Sequence, residues 1–327
     1  MSRVTAPRLS RRDFGTLGAA LGASLLLDAS PAWARQLSHD PRKMELQPFA
    51  TAPFPYRGKL PDSDVDFLDA VAGDRRGHTS PRGGIYWEDQ TYFDNRVLLA
   101  LPKGFDLKAK SAIVVYFHGN GATLDRDVIQ RQAIVDQLEA SGLNAALVAP
   151  QFAVDALDSS AGRFWQPGAF AAFMTEAGAW LAKLYGSSHA KKLFDAAPIV
   201  LIAYSGGYNP AAFVLAGGDN RIKGVMLLDA VFGEEDKFAA WIVRHHKAAF
   251  FFSAFSQSSE SGNVTLENLL QSHKIAFGTG IPSQFTLGST NFYRTDDDVG
   301  HNDFLTEAWE DWPLRGLLQR VTVDPRL

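Results

Sequence analysis

Ile199-Val200-Leu201-Ile202-Ala203-Tyr204-Ser205-Gly206-Gly207-Tyr208 is the stretch on which the rest of the chain hangs. A run of β-branched and long aliphatic residues stops at a serine flanked by small residues, and the helix-like residues 209–216 follow. The pattern predicts a buried strand that turns sharply into a helix and leaves one hydroxyl at the bend. The small residues around Ser205 let strand and helix approach closely. Backbone N–H groups at the helix start point at whatever binds there.

Working outward, strand and helix patterns alternate. Residues 85–87 and 91–102 read as two strands joined by a turn at Glu88-Asp89-Gln90. Residues 111–117 form a continuous apolar run, as expected of a strand buried on both faces. Helical spacing covers residues 124–138 and stops at Ser141-Gly142, a C-cap. Further strands are expected at 144–148, 224–228, 248–252 and 290–293, with helices at 170–185, 234–243, 266–273 and 302–319. Such alternation predicts an α/β protein with a mostly parallel eight-stranded sheet and helices on both faces. A dinucleotide-binding fold is the alternative, but no G-x-G-x-x-G follows the first strand.

Ala203-x-Ser205-x-Gly207 resembles the nucleophile elbow of α/β-hydrolases, G-x-S-x-G, with alanine in place of the first glycine. The resemblance covers residues 85 to the C-terminal helix, and Ser205 is the nucleophile it implies. His118-Gly119-Asn120-Gly121 follows the apolar run ending at Phe117, where the family places an oxyanion loop. By that match the backbone N–H groups of Asn120 and Gly206 are the oxyanion donors. Read on its own, the same loop would also suit a carbohydrate or phosphate, and His118 reads as a structural loop histidine. Of eight histidines, His301 alone follows the last expected strand and precedes a helix, which makes it the candidate base. The acid is Asp229, directly after Val225-Met226-Leu227-Leu228, or Glu260, in the polar loop after the following strand. A charge placed straight after four apolar residues needs a partner, which favours Asp229. Asp296, Asp297 and Asp298 read as a solvated loop.

Phe152, Trp165 and Phe232 lie in loops after expected strands and are the substrate-binding candidates, because loops at the C-terminal ends of parallel strands build the site in such sheets. Arg163 and Asp158 read as solvated loop charges. No H-E-x-x-H and no G-x-x-x-x-G-K-[ST] occurs, so neither a metal nor another cofactor is expected. The chain lacks cysteine, which excludes disulfides, thiolate metal sites and a cysteine nucleophile. A net charge of −4 over 327 residues gives no sign of a nucleic-acid surface.

The N-terminus reads as a separate segment. Ser10-Arg11-Arg12-Asp13-Phe14 resembles a twin-arginine export signal, followed by a short apolar run and Ala32-Trp33-Ala34, an A-x-A cleavage pattern. The expected organisation is a cleaved signal peptide (1–34), an extended arm (35–84) with one short helix at 64–71, and an α/β-hydrolase domain (85–327). The expected partners are the export machinery and a small-molecule substrate, with no nucleic acid and no stable membrane span after cleavage. The expected location is the periplasm or the exterior of a bacterial cell. The function implied is an exported serine hydrolase cleaving an ester, or an amide, through an acyl-enzyme. A periplasmic binding or scaffold protein that keeps the fold without turnover is the alternative.

Overall fold

The continuous apolar runs become the centre of one large sheet. A computed structural model describes residues 41–322, and the expected signal peptide lies outside them. The strands, in chain order, are β1 (Lys43–Pro48), β2 (Ala70–Ala72), β3 (Arg75–Thr79), β4 (Ile85–Trp87), β5 (Arg96–Leu101), β6 (Ala112–Phe117), β7 (Ala145–Pro150), β8 (Ile199–Tyr204), β9 (Ile222–Leu228), β10 (Phe250–Phe255), β11 (Gly278–Thr279) and β12 (Thr290–Arg294). The large sheet runs β1-β5-β7-β6-β8-β9-β10-β12-β11, and β2-β3-β4 form a small sheet of their own. Only the β1–β5 and β5–β7 pairs of the large sheet are antiparallel. The fold is α/β-hydrolase-like: a mostly parallel sheet with helices on both faces. It has nine strands rather than eight, because the two-residue β11 adds an edge beside β12.

Strand β8 shows how the sheet separates two cores. Ile199, Leu201 and Ala203 face the helices Ala169–Tyr185 and Tyr208–Gly217; Val200, Ile202 and Tyr204 face the helices Ile134–Ser141 and Pro313–Gln319. Ile113, Val115 and Phe117 of β6 join the first core, and Val114 and Tyr116 the second. Period-2 alternation thus buries both faces, and each aliphatic side chain so buried contributes roughly 1.5–3 kcal/mol. That burial fixes the register in which the strand ends meet. Phe117 stands opposite Ala203, Tyr204 opposite Leu228, and Leu228 opposite Ala254. The C-terminal ends of β6, β8, β9 and β10 therefore open side by side.

Five sequence expectations are corrected. Residues 41–84 are not an extended arm, since β1 pairs along all of β5 and β2 and β3 belong to the small sheet. The expected helix at 64–71 is absent: Lys59 bridges Asp66 and the chain enters β2. Ile85–Trp87 pairs with β3, and Glu88–Thr91 is a helical turn, so the strand that opens the large sheet is β1. Two expected helices are broken. Residues 124–131 form a π-helical segment separated from Ile134–Ser141 by Ala133 at φ 48°. His301–Leu305 is a 3₁₀ turn, and a separate helix starts at Pro313, which has no N–H to continue a helix but fits its first turn.

Candidate active site

Ser205 follows β8 directly, at φ 51°. A non-glycine residue in this region is strained and persists only where packing over-determines it. Here close approach does so: a Cβ on Gly207 would lie 2.6 Å from the Phe117 carbonyl oxygen, and one on Gly119 would lie 2.7 Å from Ser205 Cβ. The glycine at the end of the serine motif and the one in the His118 loop are therefore required by the same contact between β6 and β8.

Ser205 Oγ lies 2.7 Å from His301 Nε2, and His301 Nδ1 lies 2.5 Å from Asp229 Oδ2. The imidazole stacks on Tyr204 (centroids 5.1 Å apart, planes at 22°) and meets Phe232 edge-on at 5.8 Å. Tyr204 Oη also donates to the His301 carbonyl at 3.0 Å. The ring is thus held on two sides, while His301 keeps 32% of its side chain exposed.

Asp229 is completely buried and, like Ser205, sits at a strand end with positive φ, 44°. Its own N–H donates to the Ala254 carbonyl at 2.8 Å, which extends the β9–β10 pairing to the acid. Around the carboxylate stand His301 Nδ1, the Ser256 N–H (2.9 Å), and the hydroxyls of Ser256 (3.1 Å), Ser258 and Ser259 (2.5 Å). Burial alone would raise its pKa, but the donors from His301, Ser258, Ser259 and Ser256 outweigh it and bring it to about 2 from 3.8. A depressed pKa stabilises the fold above the unfolded value near 3.8, and that contribution is lost as pH falls through about 2. It amounts to on the order of 2 kcal/mol. Replacing Ser258 and Ser259 by alanine is expected to move the loss to higher pH. Thermal midpoints of the two proteins between pH 5 and 2 check this, and parallel curves would refute the role given to the serines.

The oxyanion candidates stand beside the serine. Gly206 occupies the second position of the short turn Ser205–Gly207, where an N–H has no helical acceptor, and the Asn120 N–H meets no protein acceptor among the described residues. The loop that carries Asn120 is pinned by His118. Its Nδ1 donates to the Gly119 carbonyl (2.8 Å), and Nε2 accepts from the Phe152 N–H (2.9 Å). Burial lowers the His118 pKa to about 4, so the ring is neutral and serves the loop. Among the described residues no group of three or more His, Asp or Glu side chains could hold a metal ion.

The geometry separates the other candidates. Glu260 pairs with Arg294 at 2.8 Å and does not reach His301, so of the two carboxylates Asp229 is the one beside the imidazole. Phe152 does not line the cavity beside the site. It lies 5% exposed in the core, packed edge-on against Phe117 at 5.1 Å. Trp165 lines that cavity, its Nε1 donating to Asn209 Oδ1 at 3.2 Å, and Phe232 touches the imidazole. Asp158 is buried rather than solvated, since Tyr92 Oη donates to it at 2.5 Å. Arg163 binds the Ala52 and Pro55 carbonyls and fastens the N-terminal segment. Sequence reasoning missed Tyr204 and the serine cage. The cage had a visible signal, since Ser256-Gln257-Ser258-Ser259 directly follows an apolar run.

Strand order and strand-end residues together define an α/β-hydrolase-like protein with a Ser-His-Asp constellation. No protein-family model matches the chain, and no curated protein matches it. Among solved structures it is similar to the feruloyl esterase module from Clostridium thermocellum complexed with sinapinate, at 14% identity over 82% of this chain and 97% of that one, TM-score 0.42. It is also similar to an S-formylglutathione hydrolase from Agrobacterium tumefaciens, at 10% identity over 72% and 92%, TM-score 0.44. An uncharacterized protein from Bacillus cereus matches at 12% identity over 61% of this chain; the match spans 57% of that chain, TM-score 0.37. The fold assignment rests on the strand order and not on these superpositions.

Proposed function

We propose that the protein is an exported serine hydrolase that cleaves an ester through an acyl-enzyme on Ser205. The observation that carries the reading is the relay of 2.7 Å from Ser205 Oγ to His301 Nε2 and 2.5 Å from His301 Nδ1 to Asp229. Ser205 Oγ attacks the carbonyl carbon as His301 Nε2 takes its proton, and Asp229 holds the Nδ1–H tautomer and stabilises the imidazolium. The tetrahedral oxyanion is met by the N–H groups of Asn120 and Gly206, each worth about 2.7–4 kcal/mol in such sites. Collapse expels the alkoxide, which takes the proton from His301. A water then repeats the sequence against the acyl group, with His301 again the base, and releases the acid and free Ser205. An ester is proposed ahead of an amide because its leaving group departs more readily. Export is proposed from the twin-arginine pattern of residues 10–14 alone.

A fluorophosphonate probe tests the nucleophile. Wild type is expected to be labelled and Ser205→Ala not. Equal labelling of both would refute Ser205 and leave a fold used for binding.

A further inference from the structure

A cavity of about 210 Å³ adjoins the candidate site, walled on one side by the segment that precedes β5. It has room for a short acyl group. Its lining touches the neighbours of Ser205. Ser159 lines it and donates from Oγ to Asn120 Oδ1 at 3.1 Å. A Cβ placed on Gly206 would meet that Asn120 oxygen at 2.0 Å and Ser159 Oγ at 2.9 Å. Tyr208 and Asn209, which follow the serine turn, also line the cavity. It therefore lies beside the loop and the turn that carry the Asn120 and Gly206 N–H groups.

The hydrogen-bonding capacity of the lining is lopsided. Four of its donors are committed: Ser80 Oγ to the Leu157 carbonyl (3.1 Å), Ser160 Oγ to Asp158 (2.8 Å), Trp165 Nε1 to Asn209 (3.2 Å) and Asn209 Nδ2 to Glu234 (3.3 Å). The acceptors are not exhausted. Asp158, 5% exposed, receives Tyr92 Oη and the N–H and Oγ of Ser160. Those are three donors for about four lone-pair sites. His78, 3% exposed, points Nδ1 at the Phe67 carbonyl at 2.7 Å. A carbonyl can only accept, so Nδ1 is the donating nitrogen, which leaves Nε2 as the acceptor of that tautomer. Asp69 gives one oxygen to the Thr79 N–H at 2.8 Å and retains the other. The uncommitted donors, on Thr79, Arg82 and Tyr208, lie at exposed or half-buried positions. Asp158 and His78 lie deep, while Asp69 and the uncommitted donors lie at exposed or half-buried positions.

We propose that this cavity is the acyl subsite and that it takes a short acyl group carrying a hydrogen-bond donor, a hydroxyl or an ammonium, which is given to Asp158 and His78. The proposal rests on Ser205 as the nucleophile. A substrate lacking the donor would leave buried acceptors dry, and sites built to bind an OH or NH reject such analogues by up to about 10⁴-fold or more.

The test is hydrolysis by the full chain of methyl butanoate, methyl 3-hydroxybutanoate, methyl 3-aminobutanoate, monomethyl succinate and methyl octanoate, followed by acid release at constant pH. Fluorophosphonate labelling is run in parallel. The 3-hydroxy or the 3-amino ester is expected to exceed butanoate in kcat/KM by at least about tenfold, with octanoate lowest. Whichever of the two leads identifies the donor. In Asp158→Asn the ratio of donor-bearing to plain ester should fall toward one. Tyr92 leans on Asp158, so that variant can fail to fold; the wild-type series decides without it. A labelled enzyme that prefers butanoate, succinate or octanoate, or that hydrolyses none of the esters, overturns the subsite and leaves the nucleophile standing. An enzyme that is neither labelled nor active overturns both.

Discussion

Ser205→Ala is expected to lower ester turnover by on the order of 10⁵- to 10⁶-fold, because members of such a relay act as a unit. The variant removes the attacking oxygen and the hydrogen-bond partner of His301 Nε2 at 2.7 Å, and little else. The backbone strain at φ 51° is the same for alanine, so the fold should survive, which circular dichroism checks. Whatever rate remains would come from the Asn120 and Gly206 N–H groups and from water attacking directly. Retention of more than about one per cent of wild-type kcat would place the nucleophile elsewhere, since one such group normally accounts for far more than 10²-fold.

Asp229→Asn should be nearly as damaging, with kcat falling by about 10⁴-fold. The amide cannot play both parts of the carboxylate. Turned one way, its NH₂ faces Nδ1 and pulls the ring into the tautomer whose Nε2 already carries a proton, so the base is lost. Turned the other way, the NH₂ faces the Ser256 N–H and the Ser259 hydroxyl, two donors that then lose their acceptor in a fully buried place. Glu260→Gln is the paired control. Its carboxylate binds Arg294 on the surface, 2.8 Å away, so kcat should stay within about twofold of wild type, a surface ion pair being worth little. Comparable losses in the two variants, measured as kcat on one ester, would overturn the assignment of the acid.

What could be read from residues alone follows from burial. The runs at β6 and β8 are apolar throughout because both their faces are covered, so the turns that end them, at His118 and Ser205, stood out. His301 was readable by its place after the last strand. The sequence favours Asp229 over Glu260 because it directly follows four apolar residues, but its place beside His301 depends on pairing across β9 and β10, with its N–H bonded to the Ala254 carbonyl, that no local pattern encodes. The N-terminal segment was opaque for the opposite reason. In β1 every residue is exposed or half-buried, so it shows no apolar run, and its place depends on a partner some fifty residues away. That Phe152 turns into the core was not legible, because sequence does not say which way an aromatic in a loop turns.

The antiparallel β1 strand has a bearing on solubility. In β5, Val97 to Ala100 are wholly buried, and β1 pairs with it along its whole length, from Lys43 opposite Leu101 to Pro48 opposite Arg96. Without those six residues the sheet would end in a long, flat, hydrophobic edge, the kind of surface on which chains add to one another strand by strand. The half-exposed Lys43 and the exposed Glu45 and Pro48 make a poor template for further pairing. Besides helping to shape the fold, then, the segment works as a gatekeeper against self-assembly. A chain trimmed to the residues that carry the catalytic constellation would keep the site on paper and lose it to aggregation.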